Sequence, residues 1–576
     1  MSPRWLIPEA EEGAVRSLGR ALEIQDPAAR VLLRRGHATP EAARRFLDAS
    51  LSDLHDPFLL RDMHAAAERL CGAIARREPI LLYGDYDADG TTSIMLVKKA
   101  IEAAGGVSSH HIPSRLRDGY GMRSGVVEQA AAAGVKLIVS VDTGIRANAE
   151  VRRASELGID VVVTDHHLPE EELPPALAVL NPKRPDCSYP DKNLCGAGVA
   201  FKLVSALTQT LGWEEGRRSR FLGSLLKLVA IGTVADVAPL TGENRILVKH
   251  GLEGLRAARN PGLRALLEVA GFREGEAPTA PQVAFRIAPR LNAAGRMADA
   301  GDVIELFSTT DPARARELAA LLHGLNQERQ KTESEMLERI YQECCERPVT
   351  SGEKALVFSG AGWHRGVVGI VASRLAERYH RPVFVLGEDP ATGVAQGSGR
   401  SIAQFHLLAA LESMPEVFTE FGGHRQAAGV TLRVERVAEF RERLNEHAQA
   451  VLREEDLEPV VELDALLAVK EVSDVSVGEI MKLAPFGFGN PTPLFGLMGV
   501  RVASRPRVLK ERHLRVALEQ EGRILTVMAW NAADRASQLT EGSGIDAAVS
   551  FESDPGAQSR GYAPWTATLK HFRPNA

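Results

Sequence analysis

The stretch Pro79-Ile80-Leu81-Leu82-Tyr83-Gly84-Asp85-Tyr86-Asp87-Ala88-Asp89-Gly90 decides how the rest of the chain is read. Pro79 to Tyr83 is a short apolar run, the pattern of a strand buried on both faces, and Thr91 to Ala104 follows as a helix. Three carboxylates therefore crowd the carboxyl end of a buried strand, where ligands bind in open α/β sheets. Like charges this close are unfavourable unless a cation compensates them, and hard divalent ions take oxygen ligands. An EF-hand calcium loop shares the Asp-x-Asp-x-Asp-Gly opening. Its twelfth position, however, is Leu96 where a bidentate Glu is needed, and a strand rather than a helix precedes it. Taken alone, the triplet is either a metal site or a surface turn.

Two further strand ends repeat the arrangement. Val135 to Val141 ends in Asp142-Thr143-Gly144, and Asp160 to Val163 leads into Thr164-Asp165-His166-His167. With helices at Ala147 to Leu157 and a strand at Leu177 to Leu180, the alternation predicts a parallel sheet wound by right-handed crossovers. One strand-end Asp is usually a turn or cap residue; three in succession are not. Ile231-Gly232-Thr233-Val234-Ala235-Asp236 adds a carboxylate that alone reads as a cap. Together these groups supply about six oxygens and one or two imidazoles, more than one ion needs. Two ions roughly 3.5 to 4 Å apart hydrolyse phosphate esters, one activating water while both clamp the phosphoryl oxygens.

A chain of 576 residues exceeds the size of a single core, which stops growing at roughly 250 to 300 residues. Its 44% hydrophobic and 25% charged composition is that of an ordinary globular protein. Residues 1 to 75 read as a charged amphipathic helical cap, and Gly196 to Leu306 as Leu-rich helices. Thr310-Asp311-Pro312 starts a helix with no strong breaker before Pro348, about 35 residues and about 50 Å long. A second α/β region opens with a strand at Ala355 to Phe358 and a turn at Ser359 to Gly362. Short β-type runs at 499–503, 514–518, 524–530 and 545–551 then predict a small barrel. The expected units are 1–306, 307–347, 348–452 and 453–576. Met1 to Glu12 lacks a signal pattern and no apolar run of about 18 residues occurs, so a cytosolic protein without membrane contact is expected. Cys71, Cys187, Cys195, Cys344 and Cys345 form no CxxC pair and read as reduced structural thiols. The net charge of −6 speaks against a general nucleic-acid coat. Two basic runs stand out, Arg501, Arg505, Arg507, Lys510, Arg512 and Arg515, and Arg286, Arg290 and Arg296; each is either a nucleic-acid contact or a solvated face.

On the motifs above, together with Asn181-Pro182, Ala288-Pro289-Arg290-Leu291-Asn292-Ala293-Ala294-Gly295-Arg296-Met297 and Phe421-Gly422-Gly423-His424, the chain resembles the DHH phosphoesterase superfamily and within it the RecJ single-strand-specific exonucleases, over nearly its whole length. The resemblance implies a multidomain α/β protein: a parallel-sheet DHH core joined by a long helix to a smaller α/β accessory (DHHA1) domain, followed by a C-terminal OB-fold β-barrel. It implies two divalent cations, Mn2+ or Mg2+. Asp87 and Asp142 would hold one and Asp89, Asp142, His166 and Asp236 the other, so that Asp142 bridges. Some superfamily members carry a metal-binding His where this chain has Tyr83, which makes Asp85 the substitute ligand. His167 would face the scissile phosphate, with Asp165 orienting its neighbours. Arg115, Ser398 and Arg400 resemble a pocket for a terminal 5′ phosphate, and Arg290, Asn292, Arg296 and His424 are further candidate substrate contacts. Pro485 to Pro491 resembles the opening of the OB-fold, with Phe486, Phe488 and Trp530 either stacking on bases or filling the barrel.

The implied activity is degradation of single-stranded DNA from the 5′ end to mononucleotides in repair and recombination, with single-stranded DNA as partner and a single-strand-binding protein and a helicase as candidate protein partners. The competing reading is a DHH-type hydrolase of short oligonucleotides or cyclic dinucleotides, whose resemblance covers only residues 80 to 450. A non-enzymatic strand-binding protein is disfavoured because every acidic and His position is present.

Overall fold

Strands with no polar alternation persist only where helices cover both faces of their sheet. In the computed structural model, which describes residues 3–575 except 10, 116–118, 120, 347, 348, 350, 351 and 555–562, Ile80–Gly84 and Leu137–Val141 are buried along their full lengths. Five parallel strands run in the spatial order Ser108–His111, Ile80–Gly84, Leu137–Val141, Asp160–Thr164, Ala178–Leu180. Helices Ala88–Ala103 and Gly196–Thr210 cover one face, with Glu215–Ala235 packed behind them, and Ser124–Ala132 and Asn148–Glu156 cover the other. The chain leaves Ile80–Gly84 towards one edge and returns to Leu137–Val141 on the other side, so these two strands flank a topological switch point, where the crevice for ligand opens. Asp85 and Asp142 are the first residues past them. The edge strand Ser108–His111, which creates the switch, was not expected, because Ser-Ser-His-His has no apolar run.

The connecting helix spans Pro312–Glu346, 35 residues; Pro348, its expected breaker, lies outside the described residues. Arg329 on it donates to Glu333 (2.6 Å) and Asn326 (2.7 Å), and Glu333 also accepts from Arg374 of helix Val368–Tyr379 (2.9 Å). This network ties the strut to the accessory domain. The accessory sheet is mixed: Leu356–Ala361 and Val383–Asp389 pair in parallel, and Val394–Arg400, Ala427–Arg433 and Glu420–Gly423 extend it antiparallel. The turn expected at Ser359 is instead strand as far as Ala361.

Phe495–Val502, His513–Gln520, Arg523–Ala529, Gly544–Ser553 and Trp565–Pro574 close into a five-stranded barrel. Phe495–Val502 pairs on both sides, and Val527 meets Ala567 in a parallel pairing. The expected unit 1–306 is corrected at its start. Leu18, Val31, Leu32 and Phe46 of helices Glu12–Leu22, Asp26–Arg34 and Pro40–Asp48 share a core with Phe495, Leu497 and Val500 of the barrel, and Arg4–Leu6 pairs in parallel with Val460–Glu462. An amphipathic stripe specifies burial but not the partner that buries it.

Arg245, buried on helix Gly242–Leu255 of the catalytic domain, joins these parts: its guanidinium donates to the carbonyls of Phe46 (2.8 Å), Leu483 (2.7 Å) and Ala484 (2.9 Å). Beside it the barrel's opening loop seats on the turn after Asp236, where the Leu240 amide donates to the Phe488 carbonyl at 2.7 Å. Gly489, at φ +73°, lies so close that a Cβ would stand 2.8 Å from Pro239. Replacing Arg245 by Met leaves the Phe46 and Ala484 carbonyls without this donor, while Leu483 keeps its bond from Asn490 Nδ2, a loss of roughly 2–4 kcal/mol. Limited proteolysis should then cut within residues 1–50 at least tenfold faster while the catalytic sheet stays resistant; an unchanged cleavage pattern would show that Arg245 is not the clamp.

Candidate active site

Four chain segments meet at the carboxyl edge of the core sheet. Asp85 follows the first strand and is buried, its Oδ1 without a hydrogen-bond partner among the described residues. Asp87 caps the next helix through Oδ1, which accepts from the amides of Asp89 (2.9 Å) and Gly90 (3.0 Å). Asp89, one turn in, is fully buried; its two oxygens accept from the amides of Gly196 (2.7 Å) and Ala197 (2.8 Å) at the start of helix Gly196–Thr210, an N-terminus suited to an anion. Gly196 also has to be glycine, because a Cβ there would sit 2.6 Å from that of Asp142. Asp142 adopts a left-handed conformation at φ 58°, rare outside glycine and a mark of functional positions. Asp236 caps the C-terminus of helix Glu215–Ala235.

His166 stands between them, its Nε2 3.0 Å from Asp142 and its Nδ1 3.8 Å from Asp236. Burial pushes its pKa down to about 3, so the imidazole is neutral, the form that ligates metals. Asp165 is committed elsewhere. Its Oδ1 accepts from the amides of His166 (2.7 Å) and His167 (3.1 Å) and pairs with His167 Nδ1 (2.7 Å), while Oδ2 accepts from the Ile145 amide (2.9 Å). Burial alone would raise the Asp165 pKa, but these bonds and the neighbouring imidazoles hold it at about 2. Conversely, burial opposes the His167 imidazolium and Asp165 overcomes that opposition, raising the His167 pKa.

Burial and mutual repulsion raise the pKa of Asp85, Asp142 and Asp236, and that of Asp89 to about 7. Three overlapping groups have ligand atoms within 4.8 Å of one another: Asp85, Asp87 and Asp142; Asp89, His166 and Asp236; and Asp142, His166 and His167. A buried carboxylate oxygen without a donor and a set of hard oxygens with one neutral imidazole fit divalent cations such as Mg2+ or Mn2+. The Tyr83 hydroxyl donates to the Gly121 carbonyl, away from the carboxylates, while Asp85 groups with Asp87 and Asp142.

The cleft continues towards the accessory domain. Ser398 and Arg400 share one face of strand Val394–Arg400; a Cβ on Gly369 would lie 3.5 Å from Ser398 Oγ and 3.3 Å from Arg400 Nη2. Arg115 lies over the Tyr86 ring at 5.1 Å, and Arg296 donates to the Gly366 carbonyl at 3.0 Å. Burial, then the charge of Arg115, depresses both Arg400 and Arg296, the latter to about 10. The charge of Arg115 thus opposes two buried guanidiniums, a repulsion that an anion would relieve. His424, on the same accessory sheet as Arg400, faces the core, where the charges of Arg146, His167 and Lys183 bear on it.

Two expected substrate contacts are otherwise engaged. The Arg290 guanidinium bonds the carbonyls of Arg286 and Val269, closing the end of helix Pro261–Val269, and Asn292 Oδ1 accepts from the Ala88 amide (2.7 Å), holding the helix that carries Asp89. These bonds give both residues a positioning role, while Arg290 Nε has no partner among the described residues and Asn292 lines a cleft beside Arg296. Lys183 and Arg146 were missed. The Lys183 amide donates to Asn181 Oδ1 (2.8 Å), Asn181 Nδ2 donates to the His167 carbonyl (2.8 Å), and the Lys183 charge acts on Asp236 and His166. The signal was available, since Lys183 directly follows Asn181-Pro182.

In an Asp165→Asn variant the support for His167 is removed, so in metal-free protein the His167 titration midpoint, followed by NMR of its Cε1 proton, should fall below that of the parent. An unchanged midpoint would mean that Asp165 does not set it.

Comparison with known proteins agrees with this geometry. The family models for the DHH family N-terminal domain, the DHHA1 domain and the RecJ OB domain match residues 79–233, 352–450 and 463–555. The single-stranded-DNA-specific exonuclease RecJ of Bacillus subtilis is 40% identical over 94% of this chain and 67% of its own length, and that of Dickeya dadantii 43% identical over 83% and 84%. The crystal structure of RecJ from Thermus thermophilus in complex with Mn2+ superposes with a TM-score of 0.83 at 32% identity, covering 100% of this chain and 80% of that one; the same protein is also known in complex with Mg2+. Catalytic core, accessory domain and barrel thus all match in order, and the chain belongs to the RecJ family of single-stranded-DNA-specific exonucleases.

Proposed function

We propose that the chain is a divalent-metal-dependent exonuclease that degrades single-stranded DNA from its 5′ end to mononucleotides by two-metal phosphodiester hydrolysis, in DNA repair and recombination. The observation that carries the reading is the place of Asp142, which belongs both to the group with Asp85 and Asp87 and to the group with His166 and His167. Asp85, Asp87, Asp89, Asp142, His166 and Asp236 would hold the two ions, Asp142 bridging. When bound, the ions activate water and neutralise charge on the phosphoryl oxygens.

The chain's own groups do the rest. Asp165 holds the His167 ring by Nδ1 and favours its charged form, so that His167 would hold a proton near the scissile phosphate. Arg115 acts on Asp85 and Arg296 on Asp87, which sets the guanidinium pocket against the carboxylates. A terminal 5′ phosphate held by Arg115, Ser398, Arg400 and Arg296 beside the carboxylates would suit release of a mononucleotide. Lys183 adds positive charge along the strand, with His424 beside it.

The barrel favours this reading over the hydrolysis of cyclic or very short nucleotides. Arg501, Arg505, Arg507, Lys510, Arg512 and Arg515 are all exposed, and Trp530, half exposed, meets His513 edge to face at 5.0 Å. Such a basic, aromatic surface tracks a single strand. From family membership we also propose a cytosolic location, and a single-strand-binding protein and a helicase as partners.

End-labelled single-stranded and duplex DNA, incubated with Mn2+ or Mg2+, should release mononucleotides from the 5′ end of the single strand only; release from the 3′ end, or rapid cleavage of dinucleotides but not of long strands, would refute the reading. Asp142→Ala should reduce turnover at least a thousandfold while circular dichroism stays unchanged. Arg400→Ala should lower the preference for 5′-phosphorylated over 5′-hydroxyl ends at least tenfold without weakening Mn2+ binding; equal losses on both ends would remove Arg400 from the pocket.

A further inference from the structure

At the ends of helices Ala88–Ala103 and Glu215–Ala235 remote from the carboxylates lies a cleft of about 400 Å³ lined by Lys99, Arg220, Lys227 and Arg259 above Leu228, Leu263 and Phe307. We propose that this cleft binds a phosphate-bearing ligand of mononucleotide size, a nucleoside phosphate, at a site separate from the catalytic centre.

Charge is the first argument. Four cations line the cleft and no carboxylate does, in a chain whose net charge is −6. The nearest acid acting on Lys99 is Glu102, which is held by Lys98 at 2.6 Å. Burial depresses the pKa of both Lys99 and Lys227, and Arg259 depresses Lys227 further. Gathering like charges over an apolar floor is unfavourable unless an anion compensates them, and ammonium and guanidinium groups together suit a phosphate.

Size and lining supply the class. The volume falls in the range of small-molecule sites, about 300 to 1,000 Å³, too small for duplex DNA. Leu225, Leu228, Leu263 and Phe307, all buried in the core behind the cleft, supply the apolar part of its lining beside the four cations, a mixed character that suits a base with its phosphate. The donors are available: the Asn260 side chain is occupied with Leu263 and Phe307 and the Ser224 hydroxyl with Phe221, whereas no ion pair is found for Lys99, Arg220, Lys227 or Arg259 among the described residues.

Position separates it from the active site. Lys99 is ten residues along the helix from Asp89 and Lys227 nine from Asp236, each about 15 Å at the helical rise. A ligand bridging Lys99 and Lys227 would therefore link the two helices whose other ends carry Asp89 and Asp236.

The test uses full-length protein in EDTA, carrying Arg400→Ala to weaken phosphate binding in the catalytic cleft, with titration calorimetry of dAMP, inorganic phosphate and deoxyadenosine; binding that survives there is told apart because it does not respond to charge reversal at Lys227 and Arg259. Saturable binding of dAMP at one site is expected, with phosphate at least tenfold weaker and deoxyadenosine undetectable. Lys227→Glu/Arg259→Glu should weaken dAMP at least tenfold. Because Arg259 is exposed, the single Arg259→Glu variant keeps the test valid if the double variant misfolds, and it should still lose about threefold. Absence of dAMP binding, or an affinity unchanged by charge reversal, would overturn the proposal. Phosphate binding as tightly as dAMP would overturn its mononucleotide part.

Discussion

The carboxylate of Asp89 accepts hydrogen bonds from the amides of Gly196 and Ala197, and the catalytic domain is arranged around that contact. It brings the start of one helix, behind the first strand, onto the start of another more than a hundred residues later in the chain. Asp142 is brought against Gly196 by the same approach, and helix Glu215–Ala235 then delivers Asp236 to the other side of His166. Burying several carboxylates together is costly, and the structure meets the cost in two ways. Asp87, Asp89 and Asp165 receive backbone donors, whereas Asp85 retains an oxygen with none. The groups left short of donors are those a divalent cation would satisfy.

Charge changes sign across the cleft. Carboxylates line the core side, while Arg115, Arg296 and Arg400 gather next to them, two of the three buried enough for their pKa values to fall. Because Arg400 and His424 sit on the accessory domain, the separation between the two charge sets depends on the long helix; the buried Asn326, Arg329 and Glu333 on that helix reach the accessory domain through the more exposed Arg374. Arg245 links the catalytic domain, the N-terminal helices and the barrel. In both junctions a buried charged group has its hydrogen bonds satisfied, which fixes geometry more firmly than apolar contact alone.

Much of the site could be read from local sequence. The strands ending at Gly84, Val141 and Thr164 are apolar runs stopped by acids, and the 35-residue helix starts at a proline and meets no strong breaker. What escaped were elements whose residues carry no local pattern. Ser108–His111 is polar because it lies at an edge, and Trp565–Pro574 buries only part of its length because the barrel wall it completes is half solvated. The N-terminal helices were legible as helices but were assigned to the wrong neighbour. Arg290 and Asn292 were legible as a motif, but their bonds to backbone carbonyls and to the Ala88 amide follow only from the tertiary structure.

By itself the sequence determined which residue types stand at strand ends, and hence the chemistry: hard oxygen donors and imidazoles after buried strands, arginines in a later α/β region, and a basic barrel. Those properties are local, set by periodicity and composition within about ten residues. The tertiary structure alone decided which of these groups meet. The switch point created by a polar edge strand, the sharing of Asp142 between ligand groups, the commitment of both Asp165 oxygens and the assembly of three guanidiniums from two domains all depend on contacts between residues far apart in the chain, which no local pattern encodes.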